Sequence, residues 1–193
     1  LELLTKGREL ADTLGCKLEA IALGHDLKGV EKTVGKYGAD TLWLADDKEL
    51  APYRTLPHTA VLCGVFEEQK PQIALFRATP IGRDLGPRVS SALMSGLTAD
   101  CTSLVIGDHA DTKSGKEYKG LLYQIRPAFG GNIIATIINP DNRPQMATVR
   151  EGVMKMEEVK TPKNTEVIKI DTKKYIKDTD RVVKIIDRQL EAK

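Results

Sequence analysis

"QIALFRATPIGRDLGPRVSSALMSG", residues 72–96, carries the clearest sign of the fold class. Residues 72–78 form a nearly continuous apolar run, which is typical of a strand buried on both faces of a parallel sheet. The residues from Thr79 predict a loop that feeds a helix beginning near Arg83 or Asp84. A buried strand followed by a helix is half of a βαβ unit, so this stretch indicates an α/β protein.

The residues before this stretch repeat the alternation. Predicted helices cover about 2–14, 26–38 and 58–70, and predicted strands cover 16–24 and 39–46. The three predicted helices end at residues that terminate helices, namely Gly15, Gly38 and Pro71. Strands that alternate with helices at this spacing indicate right-handed crossovers, so we expect an open, mostly parallel sheet flanked by helices.

After residue 97 the pattern changes to short apolar runs separated by turns. These runs cover 98–107, 121–128, 132–139 and 143–150, and the longest turn, 108–120, is polar. We predict that they are antiparallel strands added to the sheet in the second half of the chain. A final strand at 165–170 and a helix at about 178–190 complete the prediction.

Length and composition indicate a soluble globular protein of one domain, or of one domain with an appendage. The 193 residues are 41% hydrophobic and 29% charged, and a net charge of +2 gives no field suited to nucleic acid. Cys16, Cys63 and Cys101 form no CxxC pair, which excludes a zinc ribbon and fits a reducing compartment. No apolar run reaches about 18 residues and no signal peptide is present, so we expect a cytoplasmic protein without membrane insertion.

The sequence contains no complete phosphate-binding loop. Neither GxGxxG nor GxxxxGK[ST] occurs, which argues against a nucleotide-dependent enzyme. Arg83 and Arg88 could reach an anion at the end of strand 72–78, although structural support is the favoured interpretation. Cys101 is interpreted as a buried, inert thiol.

No catalytic or metal site is predicted. The three histidines are far apart in sequence, none has a spaced acid or cysteine partner, and each is interpreted as a surface or loop residue: His25, His58 and His109.

"QIRPAFGGNI", residues 124–133, does not look like ordinary scaffold. Gly130 and Gly131 permit positive φ and the close approach of another surface or ring. Asn132 can satisfy a turn, and Arg126 can stack on or hydrogen-bond an electron-rich ring. From these residues alone, a hairpin with an exposed arginine and a ligand-binding turn are equally good interpretations.

Three long segments, taken in order, identify a family. "IGRDLGPRVSSALMSGLTADCTSL" (81–104), "IRPAFGGNIIATI" (125–137) and "RPQMATVREGVM" (143–154) resemble the electron transfer flavoprotein alpha subunit. "LTKGRELADTLG" (4–15) resembles the first helix of that subunit, so the resemblance covers nearly the whole chain. It implies a Rossmann-like fold of the adenine-nucleotide-hydrolase type, with residues 1–193 as one α/β amino-terminal domain.

The resemblance also implies cofactors and partners. A beta subunit of similar fold carries AMP or a second FAD, and the electron-transferring FAD lies in a carboxy-terminal domain that we expect this chain to lack, together with the usual first strand. Electrons would pass between NADH or a dehydrogenase, such as an acyl-CoA dehydrogenase, and an acceptor. The alternative is an ATP- or AMP-binding module or hydrolase of related fold.

The "RPAFGGN" segment resembles the branch associated with flavin-based electron bifurcation. There the motif arginine lies near the flavin held by the beta subunit. The resemblance therefore implies cofactor binding by the residues of this segment: Arg126, Pro127, Phe129, Gly130, Gly131 and Asn132.

Overall fold

The computed structural model describes residues 1–128, 133–187 and 189. Its helices are α1 (Glu2–Leu14), α2 (Val30–Lys36), α3 (Thr55–Gln69) and α4 (Pro80–Ala92). Its strands are β1 (Glu19–Gly24), β2 (Thr41–Asp46), β3 (Ile73–Arg77), β4 (Leu97–Cys101), β5 (Ser103–Ala110), β6 (Glu117–Pro127), β7 (Ile134–Ile137), β8 (Gln145–Val149) and β9 (Glu166–Lys169). None of the helices in these ranges is long and apolar enough to cross a bilayer.

The strands form three sheets of three strands each. Two are parallel, with the orders β1-β2-β9 and β3-β8-β4. The third, β5-β6-β7, is antiparallel. The predicted α/β class, with parallel strands flanked by helices and an antiparallel part in the second half, is confirmed.

Alternating side chains join each parallel sheet to helices on both faces. In β2, Leu42 packs with α2 through Val34, whereas Ala45 packs with α3 through Val61. In β8, Met146 lies among α3 and α4 residues, whereas the following Ala147 lies in a cluster with Leu10 of α1. Because successive strand residues point to opposite faces, α1 and α2 cover one face, and α3 and α4 cover the other.

The antiparallel sheet packs into the same hydrophobic core as the parallel sheet β3-β8-β4. Leu104 of β5 and Leu122 of β6 are fully buried in the same cluster as Leu10 and Cys101. Thr102, between β4 and β5, also donates its backbone N–H to the Ile125 carbonyl at 2.8 Å. The end of β6 is thereby fixed beside the end of β4.

The predicted antiparallel role of 98–107 and 143–150 is wrong in part. β4 and β8 are parallel strands, and β8 is the central strand of its sheet, buried at all five positions. The polar residues Gln145 and Thr148 disguised this strand. Their side-chain oxygens accept backbone hydrogen bonds from Leu122 and Asp100, which offsets part of the cost of burying them, although the Gln145 Nε2 has no partner among the described residues.

Helix α4 begins earlier than predicted, at Pro80 rather than near Arg83 or Asp84. Thr79 is its N-cap, and the Thr79 hydroxyl accepts the Gly82 N–H at 3.1 Å. Threonine at the N-cap followed by proline at the first helical position is a strong start signal. That signal was present in the sequence.

Other boundaries differ for local reasons. Helix α2 is shorter than predicted because Asp26 and Gly29, with φ of 57° and 82°, interrupt its start. The polar turn predicted over 108–120 spans only 111–116, because β5 and β6 extend as a solvent-exposed ribbon.

The helix predicted at about 178–190 is wrong for the described residues. Only Asp178–Asp180 forms a short 3-10 turn, and 181–187 has no regular structure. Val182 and Ile186 are 71% and 94% exposed, so an apolar helix face here would have nothing to pack against. Most helical stability in proteins comes from such packing.

Candidate functional site

The strands around the predicted ligand-binding turn pair as a hairpin. Arg126 of β6 lies opposite Ala135 of β7, and Pro127 lies opposite Ile134. The Ala128 N–H donates to the Ile133 carbonyl at 2.7 Å. The connection between them contains four of the predicted cofactor-binding residues, which lie outside the described residues: Phe129, Gly130, Gly131 and Asn132.

Arg126 is half-buried at the end of β6. Its closest hydrogen-bond acceptor is the Pro127 carbonyl, 3.5 Å from Nε, which is the outer limit of such a bond. Within the described part of the chain, no carboxylate lies within 4.0 Å of its guanidinium. A guanidinium that has lost part of its water normally gains an anionic partner. Arg126 is therefore available to a bound anion or an electron-rich ring.

Cys101 marks the place where this arginine meets the parallel sheet. Its side chain is fully buried at the end of β4, and burial raises the pKa of the thiol to about 11. The charge of Arg126 opposes that rise, whereas the charge of Asp100 adds to it. Both charges thus lie within electrostatic reach of one thiol. The predicted buried, inert thiol is confirmed.

Asp100 and Arg150 are the site residues that sequence reasoning missed. The Asp100 carboxylate accepts hydrogen bonds from Arg83 Nη2 at 2.9 Å and from Arg150 Nη2 at 2.7 Å. The hydrogen bond from Arg150 is the main cause that holds the pKa of this carboxyl below its usual range. Asp100 lies near the end of the parallel strand β4, and Arg150 directly follows the parallel strand β8. Because 143–150 was assigned as antiparallel, the two residues were not expected to lie together.

The two arginines of the "ATPIGRDLGPR" loop have different environments. Arg83 bonds the Ala78 carbonyl as well as Asp100, so the structural interpretation holds for it. Arg88 is exposed on α4, and its charge acts on the Cys63 thiol instead.

Taken together, these side chains line the carboxyl edge of the sheet β3-β8-β4. Arg77 also lies at this edge, at the end of β3, and its Nε is 2.9 Å from a carboxylate oxygen of Glu151. The edge thus brings together four arginines and two carboxylates: Arg77, Arg83, Arg126, Arg150, Asp100 and Glu151. Ligands of open α/β sheets bind at this edge. The net positive charge suits an anion or a ring on which negative charge develops.

Other clefts and clusters lie elsewhere. An open cleft of about 530 Å³ lies between α3 and residues 174–180, and none of its lining residues belongs to β4, β6 or β8.

His58 is buried in α3 with its ring 4.8 Å from that of Tyr53, so the surface or loop interpretation of this histidine is wrong. Among the described residues, no three His, Cys, Asp or Glu side chains form a metal-binding group.

Comparison with known proteins gives one family. The model of the electron transfer flavoprotein domain matches residues 1–175. The electron transfer flavoprotein subunit alpha of Thermoanaerobacterium thermosaccharolyticum is 42% identical over 193 residues, which are 100% of this chain and 55% of that protein. Protein FixB of Clostridium saccharobutylicum is 48% identical over 174 residues, which are 90% of this chain and 48% of that protein.

A third relative has a different name. The lactate dehydrogenase (NAD(+),ferredoxin) subunit LctC of Acetobacterium woodii is 40% identical over 152 residues, which are 79% of this chain and 34% of that protein. The chain spans about half the length of the first two relatives, and the family model covers most of the chain. The chain therefore belongs to the electron transfer flavoprotein family, beside the alpha subunits and FixB proteins.

Proposed function

We propose that this chain is the amino-terminal α/β domain of an electron transfer flavoprotein alpha subunit, which docks a beta subunit and lines the flavin site of that subunit. The whole protein would carry electrons between NADH or a dehydrogenase and an acceptor, as a carrier component rather than a stand-alone enzyme. The observation that carries the proposal is the half-buried guanidinium of Arg126, without a carboxylate within 4.0 Å in the described ranges. An ATP- or AMP-binding hydrolase, the alternative, is not favoured by the relatives.

The residues at the end of β6 suit a flavin. FAD, when bound, supplies the chemistry of accepting and passing on electrons, and its ring gains negative charge on reduction. A guanidinium without an anionic partner is permanently charged and planar, and it favours such charge on a nearby ring. We propose that Arg126 and Pro127 line the ring together with Phe129, Gly130, Gly131 and Asn132.

Further parts of the proposal concern the rest of the assembly. We propose that the second FAD lies in a carboxy-terminal domain outside this chain, and that the beta subunit holds either AMP or the flavin near Arg126. The name of the LctC relative, with NAD(+) and ferredoxin as two electron carriers, supports the bifurcating branch and a dehydrogenase partner. Three free cysteines, one of them exposed, support a cytoplasmic location.

The test is the reduction potential of the flavin in the alpha–beta complex. At an effective dielectric near 20, a unit charge about 4–5 Å away is worth roughly 3–4 kcal/mol. Partial exposure at a subunit boundary reduces this to about 1–2 kcal/mol, which is roughly 40–90 mV for a one-electron step. Arg126→Ala should therefore lower the potential of the beta-subunit flavin by about that amount.

Two controls define the result. Arg126→Lys should give an intermediate shift, because lysine keeps the charge but not the planar donor fork. The FAD of the carboxy-terminal domain should keep its potential in both variants. Spectroelectrochemical titration of the three complexes measures both flavins, and an unmoved potential in Arg126→Ala would leave Arg126 as a structural hairpin residue.

A further inference from the structure

Asp100 has a backbone conformation that residues with side chains rarely adopt. Its φ is 62°, and the register of β4 on β8 shifts between Thr98 and Cys101, so Asp100 lies in a bulge. Its N–H donates to Thr148 Oγ1 at 2.8 Å, which fixes the bulge to the central strand. Glycine adopts this conformation without strain, so the backbone alone does not require an aspartate here. Bulges of this kind re-aim a side chain and are frequent beside functional sites.

The bulge aims the carboxylate between two arginines from different elements. Arg83 comes from the first turns of α4, and Arg150 directly follows β8. Arg83 has a second bond, to the Ala78 carbonyl, whereas within the described residues both hydrogen bonds of the Arg150 guanidinium go to Asp100. One carboxylate thus holds two guanidinium groups that would otherwise repel each other. We call Asp100, Arg83 and Arg150 the arginine clamp.

The clamp is connected to Arg126 through two backbone hydrogen bonds. The Arg150 N–H donates to the Cys101 carbonyl at 2.9 Å, and the Thr102 N–H donates to the Ile125 carbonyl at 2.8 Å. Ile125 directly precedes Arg126 in β6. Cys101 is fully buried between these bonds, so the connection cannot shift without disturbing close-packed atoms.

We propose that Asp100 is a positioning residue for Arg126: the clamp fixes the end of β4, and β4 fixes the end of β6 from which the Arg126 guanidinium extends. The carboxylate also bonds Arg83 and Arg150 rather than Arg126. The charge of the Arg126 guanidinium therefore remains available to the ligand. The inference rests on the proposed function only in taking that ligand to be the flavin of the beta subunit.

The sign of the potential shift tests this inference. Removing a negative charge near a flavin raises its potential, whereas displacing Arg126 lowers it. Asp100→Asn, made in the alpha–beta complex, should lower the potential of the beta-subunit flavin by most of the Arg126→Ala shift. In the Arg126→Ala background, Asp100→Asn should no longer lower it, because two residues that act through one another are not additive. Asp100→Gly removes the carboxylate, but glycine adopts the positive φ of the bulge without strain. This variant should therefore behave like Asp100→Asn.

A crystal structure of the Asp100→Asn complex gives a readout that does not depend on the flavin. The Arg126 guanidinium should move from the position that it has in the unchanged complex. Asp46→Asn, at the carboxyl end of β2 in the other parallel sheet, is the matched control and should leave Arg126 in place.

The outcomes separate the two ideas. An Arg126 that stays in place in Asp100→Asn, or a potential that rises equally with and without Arg126, overturns the positioning role. A potential that does not respond to Arg126→Ala while Arg126 still moves in Asp100→Asn overturns the flavin assignment and upholds the positioning.

Discussion

Gly82 shows how one missing side chain lets helix α4 start against the end of β3. A Cβ atom built on Gly82 would lie 1.7 Å from the Arg77 carbonyl oxygen, which is a backbone atom of the preceding strand. We expect Gly82→Ala to lower the free energy of unfolding by about 3 kcal/mol or more, because backbone atoms cannot move aside as a side chain can. Urea unfolding measures this.

The matched control for Gly82 is Ser91→Ala, at an exposed position of the same helix. It should change the free energy of unfolding by less than about 0.5 kcal/mol. Equal stability of Gly82→Ala and Ser91→Ala would mean that α4 can begin without this close approach.

The three cysteines should differ sharply in reactivity. Cys16 is exposed, whereas burial raises the pKa of Cys63 and of Cys101 to about 11 in each case. Because the thiolate is the reacting species, a disulfide reagent at pH 8 should label one thiol quickly and two slowly. Cys16→Ser should abolish the fast phase. A fast phase that persists in Cys16→Ser would show that one of the other thiols is ionised and accessible.

At the scale of elements, the helices and strands that were predicted correctly are those whose signals lie within a few consecutive residues. β3 was predictable because its apolar run is unbroken, and α1 because its apolar stripe ends at Gly15, which has φ of 65° and caps the helix. β8 was not recognised as a central strand, because whether Gln145 and Thr148 can be buried depends on Leu122 and Asp100, which are far away in sequence.

The clamp around Asp100 could not be predicted for the same physical reason. Its two arginines lie 17 and 50 residues away, and each comes from a different element. Arg126 was found through turn chemistry and the family resemblance, whereas the lack of a carboxylate within 4.0 Å of it, among the residues that the structure describes, is a property of the folded chain. Local sequence can indicate a charged residue at a turn but cannot show what that charge contacts.

The clamp that joins α4, β4 and β8 should make stability depend on pH in acid. The pKa of Asp100 is lower in the folded chain than its ordinary value near 3.9, chiefly through the Arg150 hydrogen bond. Its contribution is therefore fully present above about pH 5 and is lost as the pH falls through the folded pKa. Asp100→Asn should cost about 2 kcal/mol at pH 6, and the difference from the unchanged chain should shrink toward pH 2.

Comparing the two chains at each pH isolates Asp100 from other carboxylates. The pKa of Asp40, which bonds the Leu18 N–H and Arg8, is also lowered, but it titrates in both chains. Urea unfolding at pH 6, 4 and 2.5 makes the measurement. A difference that stays constant with pH would show that the clamp contributes through shape rather than charge.

At the scale of the whole molecule, the exposed apolar residues near Arg126 and those elsewhere call for different explanations. Ile134, the first residue of β7, is 70% exposed and lies directly across the hairpin from Pro127, and the preceding Ile133 is 59% exposed. Large exposed apolar residues beside a functional turn are typical of a surface that another chain covers. Val167 is 41% exposed on β9 of the other parallel sheet, a short strand that also contains Glu166 and Lys169.

The proposed docking of a beta subunit therefore makes a prediction about these two positions. An obligate interface buries more than roughly 2,000 Å², and an aspartate inside it loses its water without gaining a partner. Ile134→Asp should weaken association with the co-expressed beta subunit by tenfold or more, on the order of 1.4 kcal/mol, whereas Val167→Asp should not. Both side chains already face solvent, so the thermal unfolding of each variant alone should match that of the unchanged chain. Analytical ultracentrifugation of the co-expressed pairs measures the association. If Val167→Asp weakens binding and Ile134→Asp does not, the beta subunit covers the other sheet, and the Arg126 hairpin is free of it.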